Sequence, residues 1–195
     1  MLPTNYRLPT LGAIDPYAQG PLSNLCGVYA AINAARLLTP ERATHLSLWR
    51  SGSHAALTAL DREGYLEESI LSGMPSEAWK LAMFEAYDVL SELTGTTYQI
   101  RPPRRRLSRI HPEEMPGLIQ SAVSVGAAVL CALEGALNHY TVIAGYTATR
   151  WLLHDSTGLK WVSMDKVSYT DEGDERHYMP ISSVLVVMRK SVLLV

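Results

Sequence analysis

Residues 19–35 read QGPLSNLCGVYAAINAA, a polar loop that runs into an alanine-rich segment. Ser23 and Asn24 are residue types that favour the N-cap position of a helix. Apolar residues follow at intervals of three and four, which is the spacing of a helix face, and the alanines favour a helix as well. The stretch therefore predicts a helix over residues 25–38 that stops before Pro40.

Cys26 falls in the first turn of this predicted helix. Backbone N–H groups without intrahelical partners and the positive end of the helix dipole both favour an anion at that position. A thiolate is such an anion, and it is the reactive form of cysteine. The competing interpretation is a small apolar core residue, which describes most free cysteines.

A second pair of stretches favours the reactive interpretation. Residues 138–146, NHYTVIAGY, predict a strand that begins at His139, and residues 151–158, WLLHDSTG, predict a strand that ends at Asp155. In a hairpin the start of one strand lies beside the end of the next, so His139 and Asp155 are expected to meet. Together with Cys26 they supply a nucleophile, a base and an orienting carboxylate. The amide of Gln19 is a candidate donor to an oxyanion.

This set of residues resembles the papain-like cysteine peptidase superfamily. The resemblance is carried by Gln19, by Cys26-Gly27 at the start of an alanine-rich helix, by His139 on a strand and by Asp155 after the next strand. It is closest to the leader peptidases of bacterial peptide-exporting transporters and to related stand-alone effector domains. The resemblance implies an α+β fold in which the nucleophile helix packs on a C-terminal antiparallel sheet.

The function implied by the resemblance is that of a thiol peptidase. It would hydrolyse a peptide or isopeptide bond through a thioester, with Cys26, His139 and Asp155 as the catalytic triad and Gln19 in the oxyanion hole. The alternatives are a glutamine deamidase, a transglutaminase-like or other acyl-transfer effector with the same triad, and a catalytically inactive papain-fold binding module.

The other candidates for the site have structural interpretations. Cys131 lies in an apolar run and is expected to be inert core. His154 precedes Asp155, so strand alternation predicts that its side chain faces the other side of the sheet. Asn138 is an alternative orienting residue, but it is adjacent to His139, which makes the required geometry difficult.

The order of the elements predicts one domain of 195 residues, with helices first and strands afterwards. Residues 1–24 are expected to form an arm and the oxyanion loop, 25–95 a helical half, and 96–195 a mainly antiparallel sheet half. Further helices are expected from Pro40 to about Arg50, after a break at residues 51–53 from His54 to Arg62, from Ser76 to Leu93, and from Pro112 to Val125. Further strands are expected over residues 96–100, 127–133, 159–164 and 183–189, with an apolar end at 192–195.

Composition and sequence patterns limit the binding partners and the cellular location that we expect. The formal net charge of −2 gives no general attraction to nucleic acid, and the resemblance implies a protein or peptide substrate as the partner. The sequence has no glycine-rich phosphate loop, no metal-ligand spacing, no signal peptide pattern and no apolar run of membrane-spanning length. No cofactor or metal is expected, and we predict a cytoplasmic protein, with leaderless secretion into a host cell as the alternative. The arginine-rich run at 104–106 is interpreted as a solvated loop, with a patch for an acidic partner or an anionic membrane surface as alternatives.

Overall fold

The computed structural model describes residues 2–20, 24–105, 110–171 and 175–190. It has a mixed α+β fold, as predicted, with most helices in the first half of the chain and an antiparallel sheet in the second. The helices are α1 (Cys26–Leu38), α2 (Leu46–Arg62), α3 (Leu66–Leu71), α4 (Ser76–Thr94) and α5 (Met115–Ser124). The strands are β1 (Tyr6–Arg7), β2 (Tyr98–Arg101), β3 (Ala128–Gly135), β4 (His139–Tyr146), β5 (Arg150–Leu153), β6 (Trp161–Ser163), β7 (Val167–Ser168), β8 (His177–Tyr178) and β9 (Leu185–Arg189).

The main sheet has the strand order β2-β9-β3-β4-β5-β6, and every pair of neighbours in it is antiparallel. The strand predicted over residues 127–133 is confirmed as β3, which lies between β9 and β4 and has residues 128–133 buried. Strand β1 adds to one end of β4, while the short β8 adds to the far end of β3. The pairing of β8 with β3 extends the sheet at the end where β4 begins.

Alternate residues of β3 and β4 contribute to two cores on opposite faces of the sheet. Ala128 and Leu130 pack in one cluster with α1, α2 and α4. Val129, Cys131 and Leu133 pack in the other cluster with α5. Helix α1 is therefore held between the sheet and the helical block, with its buried face formed largely by alanines and Ile32.

Helix α2 runs without interruption through Ser51-Gly52-Ser53, so the predicted break at these residues is wrong. Both serine hydroxyls donate to the backbone carbonyl four residues earlier, a bond that a helix tolerates. Gly52 is buried where α2 meets α4, and a Cβ atom there would lie only 2.8 Å from Leu90 Cγ. Gly52 thus allows α2 and α4 to pack closely, and it does not end the helix as the sequence indicated.

The starts of the first two helices also differ from the prediction. The N-cap position of α1 is Leu25, which makes no side-chain cap bond. The side chain of Asn24 instead donates to the carbonyls of Ile70 and Leu71, so it joins the start of α1 to the end of α3. Pro40 begins only a 3₁₀ turn, Pro40–Arg42, and α2 starts at Leu46.

Several other predictions can be compared with the fold. Gly95 ends α4 in a left-handed conformation with φ of 67°, as expected for a glycine after a helix. The predicted helix over 112–125 is a 3₁₀ turn, Pro112–Glu114, followed by α5. Arg104 forms an ion pair with Glu114 at 3.1 Å. Ser23, Arg106, residues 172–174 and the predicted apolar end at 192–195 lie outside the described residues.

Candidate active site

Cys26 is the first residue of α1, and the residue is 8% exposed. The backbone N–H of Tyr140, in β4, donates to its sulfur atom at 3.5 Å. Gly27 allows the ring of Trp79 to pack against this first turn, because a Cβ at residue 27 would lie 2.5 Å from Trp79 Cδ1. The indole N–H of Trp79 donates to the Gly27 carbonyl at 3.2 Å, so the helix start is fixed from the helical block as well.

His139 is the first residue of β4, and the turn before it is narrow. Asn138 has a positive φ of 46°, a conformation that asparagine adopts more readily than most residues. Its side-chain oxygen accepts a hydrogen bond from the N–H of Gly135 at 3.0 Å. Asn138 therefore closes the β3–β4 turn and so sets where His139 begins the strand.

Asp155 lies two residues after the end of β5, and the β4–β5 hairpin brings it beside His139, as the sequence predicted. His139 Nε2 lies 2.7 Å from Asp155 Oδ2, and the two side chains are 11% and 0% exposed. The other carboxylate oxygen accepts bonds from the backbone N–H and the hydroxyl of Thr157, at 2.9 and 2.6 Å. The carboxylate is thus oriented on both sides before any substrate is present.

The two groups shift each other's pKa in opposite directions. Burial favours the neutral form of each, but the hydrogen bond and the charge of Asp155, together with an interaction with Cys26, outweigh it at His139 and raise the pKa of His139 to about 9. Burial alone would raise the pKa of Asp155, but the His139 hydrogen bond and charge hold it well below its ordinary value. At neutral pH the pair therefore consists of an imidazolium and a carboxylate.

Gln19 is joined to the segment that follows Asp155. Its backbone N–H donates to the Ser156 carbonyl at 3.0 Å, and the Ser156 hydroxyl donates to Gln19 Oε1 at 3.4 Å. Gln19 lines the same cleft as Cys26 and His139. The structure therefore brings together all four residues that the sequence singled out.

The cleft has a volume of about 640 Å³ and lies between the start of α1, the segment 72–75 and the β3–β4 turn. Tyr140 lines it, with its ring centroid 4.4 Å from that of Trp79 and its hydroxyl donating to the Met74 carbonyl at 3.3 Å. Tyr140 could have been noticed as the neighbour of His139, but Met74 had no sequence signal. The full lining is Gln19, Asn24, Cys26, Ser72, Gly73, Met74, Pro75, Ala132, Glu134, Leu137, Asn138, His139, Tyr140 and Thr157.

The remaining candidates lie away from this cleft. Cys131 is fully buried in the cluster on the α5 face of the sheet, and burial raises the pKa of its thiol far above the ordinary value. His154 is 2% exposed and lines a smaller cavity of about 270 Å³ beside the N-terminal arm. Burial, with the charges of Arg36 and Lys160, lowers its pKa to about 4, so it is neutral.

No cluster of three or more metal-ligating side chains occurs in the part of the chain that the structure describes. Within the same residues, no helix combines the length and the apolar character needed to cross a membrane. A scan against protein-family models gave no match, and a search of curated proteins gave no significant match. The resemblance to papain-like peptidases accordingly remains a prediction from the sequence.

Proposed function

We propose that the protein is a papain-like cysteine peptidase, which hydrolyses a peptide or isopeptide bond through a thioester on Cys26. The observation that carries the proposal is that Cys26 and His139, from α1 and β4, line one cleft, and that Asp155 binds the His139 ring there. A nucleophile, a base and a group that orients the base are the parts that thiol catalysis needs. A structural cysteine would require none of these neighbours.

In the proposed reaction the Cys26 thiolate attacks the carbonyl carbon of the scissile amide. The helix start, the Tyr140 N–H and the positive charge of His139 all favour the anionic sulfur. Because His139 Nε2 is bonded to Asp155, the other ring nitrogen, Nδ1, is left to exchange a proton with the site. His139 then protonates the leaving amine, the C–N bond breaks and a thioester remains.

The tetrahedral intermediate carries its negative charge on the former carbonyl oxygen. The backbone N–H of Cys26 and the side-chain amide of Gln19 are the proposed donors to this oxygen. Ser156, by binding both the backbone and the side chain of Gln19, keeps the amide in place. Water activated by His139 then hydrolyses the thioester and restores the thiol.

The experiment that tests this proposal measures alkylation of Cys26 by iodoacetamide against pH, with site-resolved mass spectrometry. We expect a nearly constant rate between about pH 6 and about pH 8, since the imidazolium stabilises the thiolate. An ordinary thiol slows about tenfold for each unit below a pKa of about 8.5. His139→Ala should restore that ordinary slope and slow the reaction at about pH 6 by tenfold or more.

Two controls accompany this measurement. Cys131 is the internal control, and it should react only when the protein unfolds because it is fully buried. His54→Ala removes an exposed histidine of α2 that does not line the cleft, and it should leave the profile of Cys26 unchanged. If Cys26 reacts as an ordinary thiol and its alkylation rate is unchanged in His139→Ala, the proposal is wrong.

A further inference from the structure

The cleft contains one fixed negative charge that the proposed reaction does not use. Among the described lining residues, Glu134 is the only carboxylate, and neither lysine nor arginine is present. The rest of the lining is neutral or apolar, apart from Cys26 and His139 themselves. A substrate entering the cleft therefore meets an acidic side chain close to the reacting groups.

Glu134 is held in a defined position relative to His139. Its neighbour Leu133 is directly opposite His139 in the β3–β4 ladder, and Glu134 itself is opposite Tyr178 of β8. Gly135 then enters the turn that Asn138 closes. The backbone of Glu134 is thus paired on one side and fixed by a turn immediately afterwards, so the carboxylate has a rigid support.

The side chain of Glu134 lies on the face of the sheet that meets α1. Residues 128 and 130 of β3 pack with α1, and alternation puts Ala132 and Glu134 on the same face. Both line the cleft. Tyr140, opposite Ala132, has a pKa raised to about 12 by burial, by Cys26 and by Glu134, in that order. Tyr140 therefore lies close enough to Glu134 for this carboxylate to disfavour ionisation of the phenol.

No direct ion pair between Glu134 and a lysine, arginine or histidine is found among the described residues. The ion pairs found in the described ranges involve other carboxylates, and the Glu134 side chain is exposed. An unpaired carboxylate that faces a binding cleft attracts a positive charge on the bound molecule. It equally disfavours a second carboxylate at the same place.

We propose that Glu134 selects substrates that carry a positive charge close to the acyl group that Cys26 attacks. This inference rests on the proposed peptidase function. The shared chemistry is an ammonium or guanidinium group. It is supplied either by a lysine or arginine side chain or by the free amino terminus of a short peptide.

The test uses peptidyl acyloxymethyl ketones, in which the thiolate displaces a carboxylate and forms a thioether with Cys26. Matched N-acetylated probes carry lysine, norleucine or glutamate at one position at a time, and a second set carries norleucine with a free amino terminus. Labelling rates are read by intact-protein mass spectrometry and divided by the iodoacetamide rate of each variant. We expect lysine, or the free amino terminus, to exceed acetylated norleucine by about three- to fivefold, the factor for a pair of partly exposed charges.

Three variants test whether the preference between probes depends on the charge at residue 134 or on a general change in reactivity. Glu134→Gln should remove the preference for the positive probe, and Glu134→Lys should reverse it in favour of glutamate. Glu92→Gln removes an exposed acid of α4 away from the cleft and should keep the wild-type ratios. The preference should also shrink as salt is added, because about 0.1 M salt screens charges beyond about 10 Å.

The outcomes distinguish this inference from the proposed function. If Cys26 reacts fast with iodoacetamide, but no positive probe is preferred or Glu134→Gln keeps the preference, the role of Glu134 is overturned and the peptidase proposal stands. If Cys26 shows no activated reactivity with any reagent, both are overturned. A preference for lysine probes alone assigns a basic side chain, whereas a preference for free-amine probes alone assigns a peptide amino terminus.

Discussion

At the scale of single residues, the charge state of His139 depends on its neighbours more than on its burial. Burial favours the neutral imidazole, yet the pKa rises to about 9 because Asp155 binds one ring nitrogen and Cys26 interacts with the ring. Asp155 in turn keeps its charge because Thr157 and His139 donate to it. The carboxylate is thus the residue that keeps the imidazolium present at neutral pH.

This dependence predicts the effect of removing one charge. In Asp155→Asn the amide retains a polar partner for the ring but no longer carries a charge, so the pKa of His139 should fall from about 9 toward its ordinary value near 6.5. NMR titration of isotopically labelled histidine rings measures the shift directly. Asp165→Asn changes a carboxylate that is 72% exposed and distant from the cleft, and it should leave His139 unaffected. A His139 that still titrates near 9 in Asp155→Asn would refute the assigned cause.

At the scale of elements, two glycines in helices have opposite surroundings. Gly52 lies where α2 packs on α4, with Leu90 and Ile32 within about 3 Å of the position that a Cβ would take. Gly117 lies in α5, where a Cβ would have no atom within 4 Å. The same substitution should therefore change stability in opposite directions at the two sites.

Gly52→Ala should lower the free energy of unfolding by about 1–3 kcal/mol, since the methyl group overfills a closed interface. Gly117→Ala should raise it by about 0.5–1 kcal/mol, because alanine has the better helix propensity and loses less entropy on folding. Urea unfolding followed by circular dichroism measures both. Equal effects of the two substitutions would show that the α2–α4 packing does not restrict residue 52.

The sequence predicted well those elements whose signals are local. Helices α1 and α4 have a periodic apolar face, and the β4–β5 hairpin has two apolar runs around a short turn, so their positions and the His139–Asp155 contact could be anticipated. The continuity of α2 could not, since the reason for Gly52 is a residue of another helix. Strand β1 and helix α3 are two and six residues long. Their sequences carry little signal, and contacts with β4 and Asn24 hold them.

In the candidate site, too, the residues with a local sequence signal could be predicted and those that depend on distant contacts could not. Cys26, His139 and Asp155 could be proposed because each lies at a predicted end of a helix or strand. Glu134 and Met74 could not, because the sequence does not reveal which strand face meets α1 or where the segment 72–75 passes. Asn24 was interpreted as a cap from its type alone, although its actual partners are carbonyls about 46 positions away.

At the scale of the whole molecule, two histidines with shifted pKa values should limit stability on opposite sides of neutral pH. The pKa of His139 is raised to about 9. The contribution of its protonated ring to the free energy of unfolding is therefore complete below about pH 6.5 and is lost as the pH rises through 9. The pKa of His154 is lowered to about 4. The contribution of its neutral ring to the free energy of unfolding is therefore complete above about pH 6.5 and decreases as the pH falls toward 4. His177, with a pKa lowered by burial and by Arg176, adds to the acidic side.

In the proposed thiolate–imidazolium pair, the proton that His139 retains is balanced by the proton that Cys26 has given up. We therefore expect the free energy of unfolding to be greatest on a plateau between about pH 6.5 and about pH 8.5 and to fall on either side of it, with a slope of at most about 1.4 kcal/mol per pH unit for each proton involved. His139→Gln should flatten the alkaline side only, and His154→Gln should reduce the slope of the acidic side only. Urea unfolding at a series of pH values measures both slopes. Alkaline slopes that are identical in wild type and His139→Gln would contradict the assignment.

The Cys26 sulfur and the Tyr140 N–H that binds it are 114 positions apart in the chain. Contacts of such separation form late in folding, because a long loop must close before any stabilisation is gained. If Cys26 is activated as proposed, a refolding chain should therefore carry an unactivated thiol until α1 docks against β4. Brief pulses of alkylating reagent during refolding would then time that docking step, since the appearance of the fast-reacting sulfur marks the moment at which the helical block and the sheet become one structure.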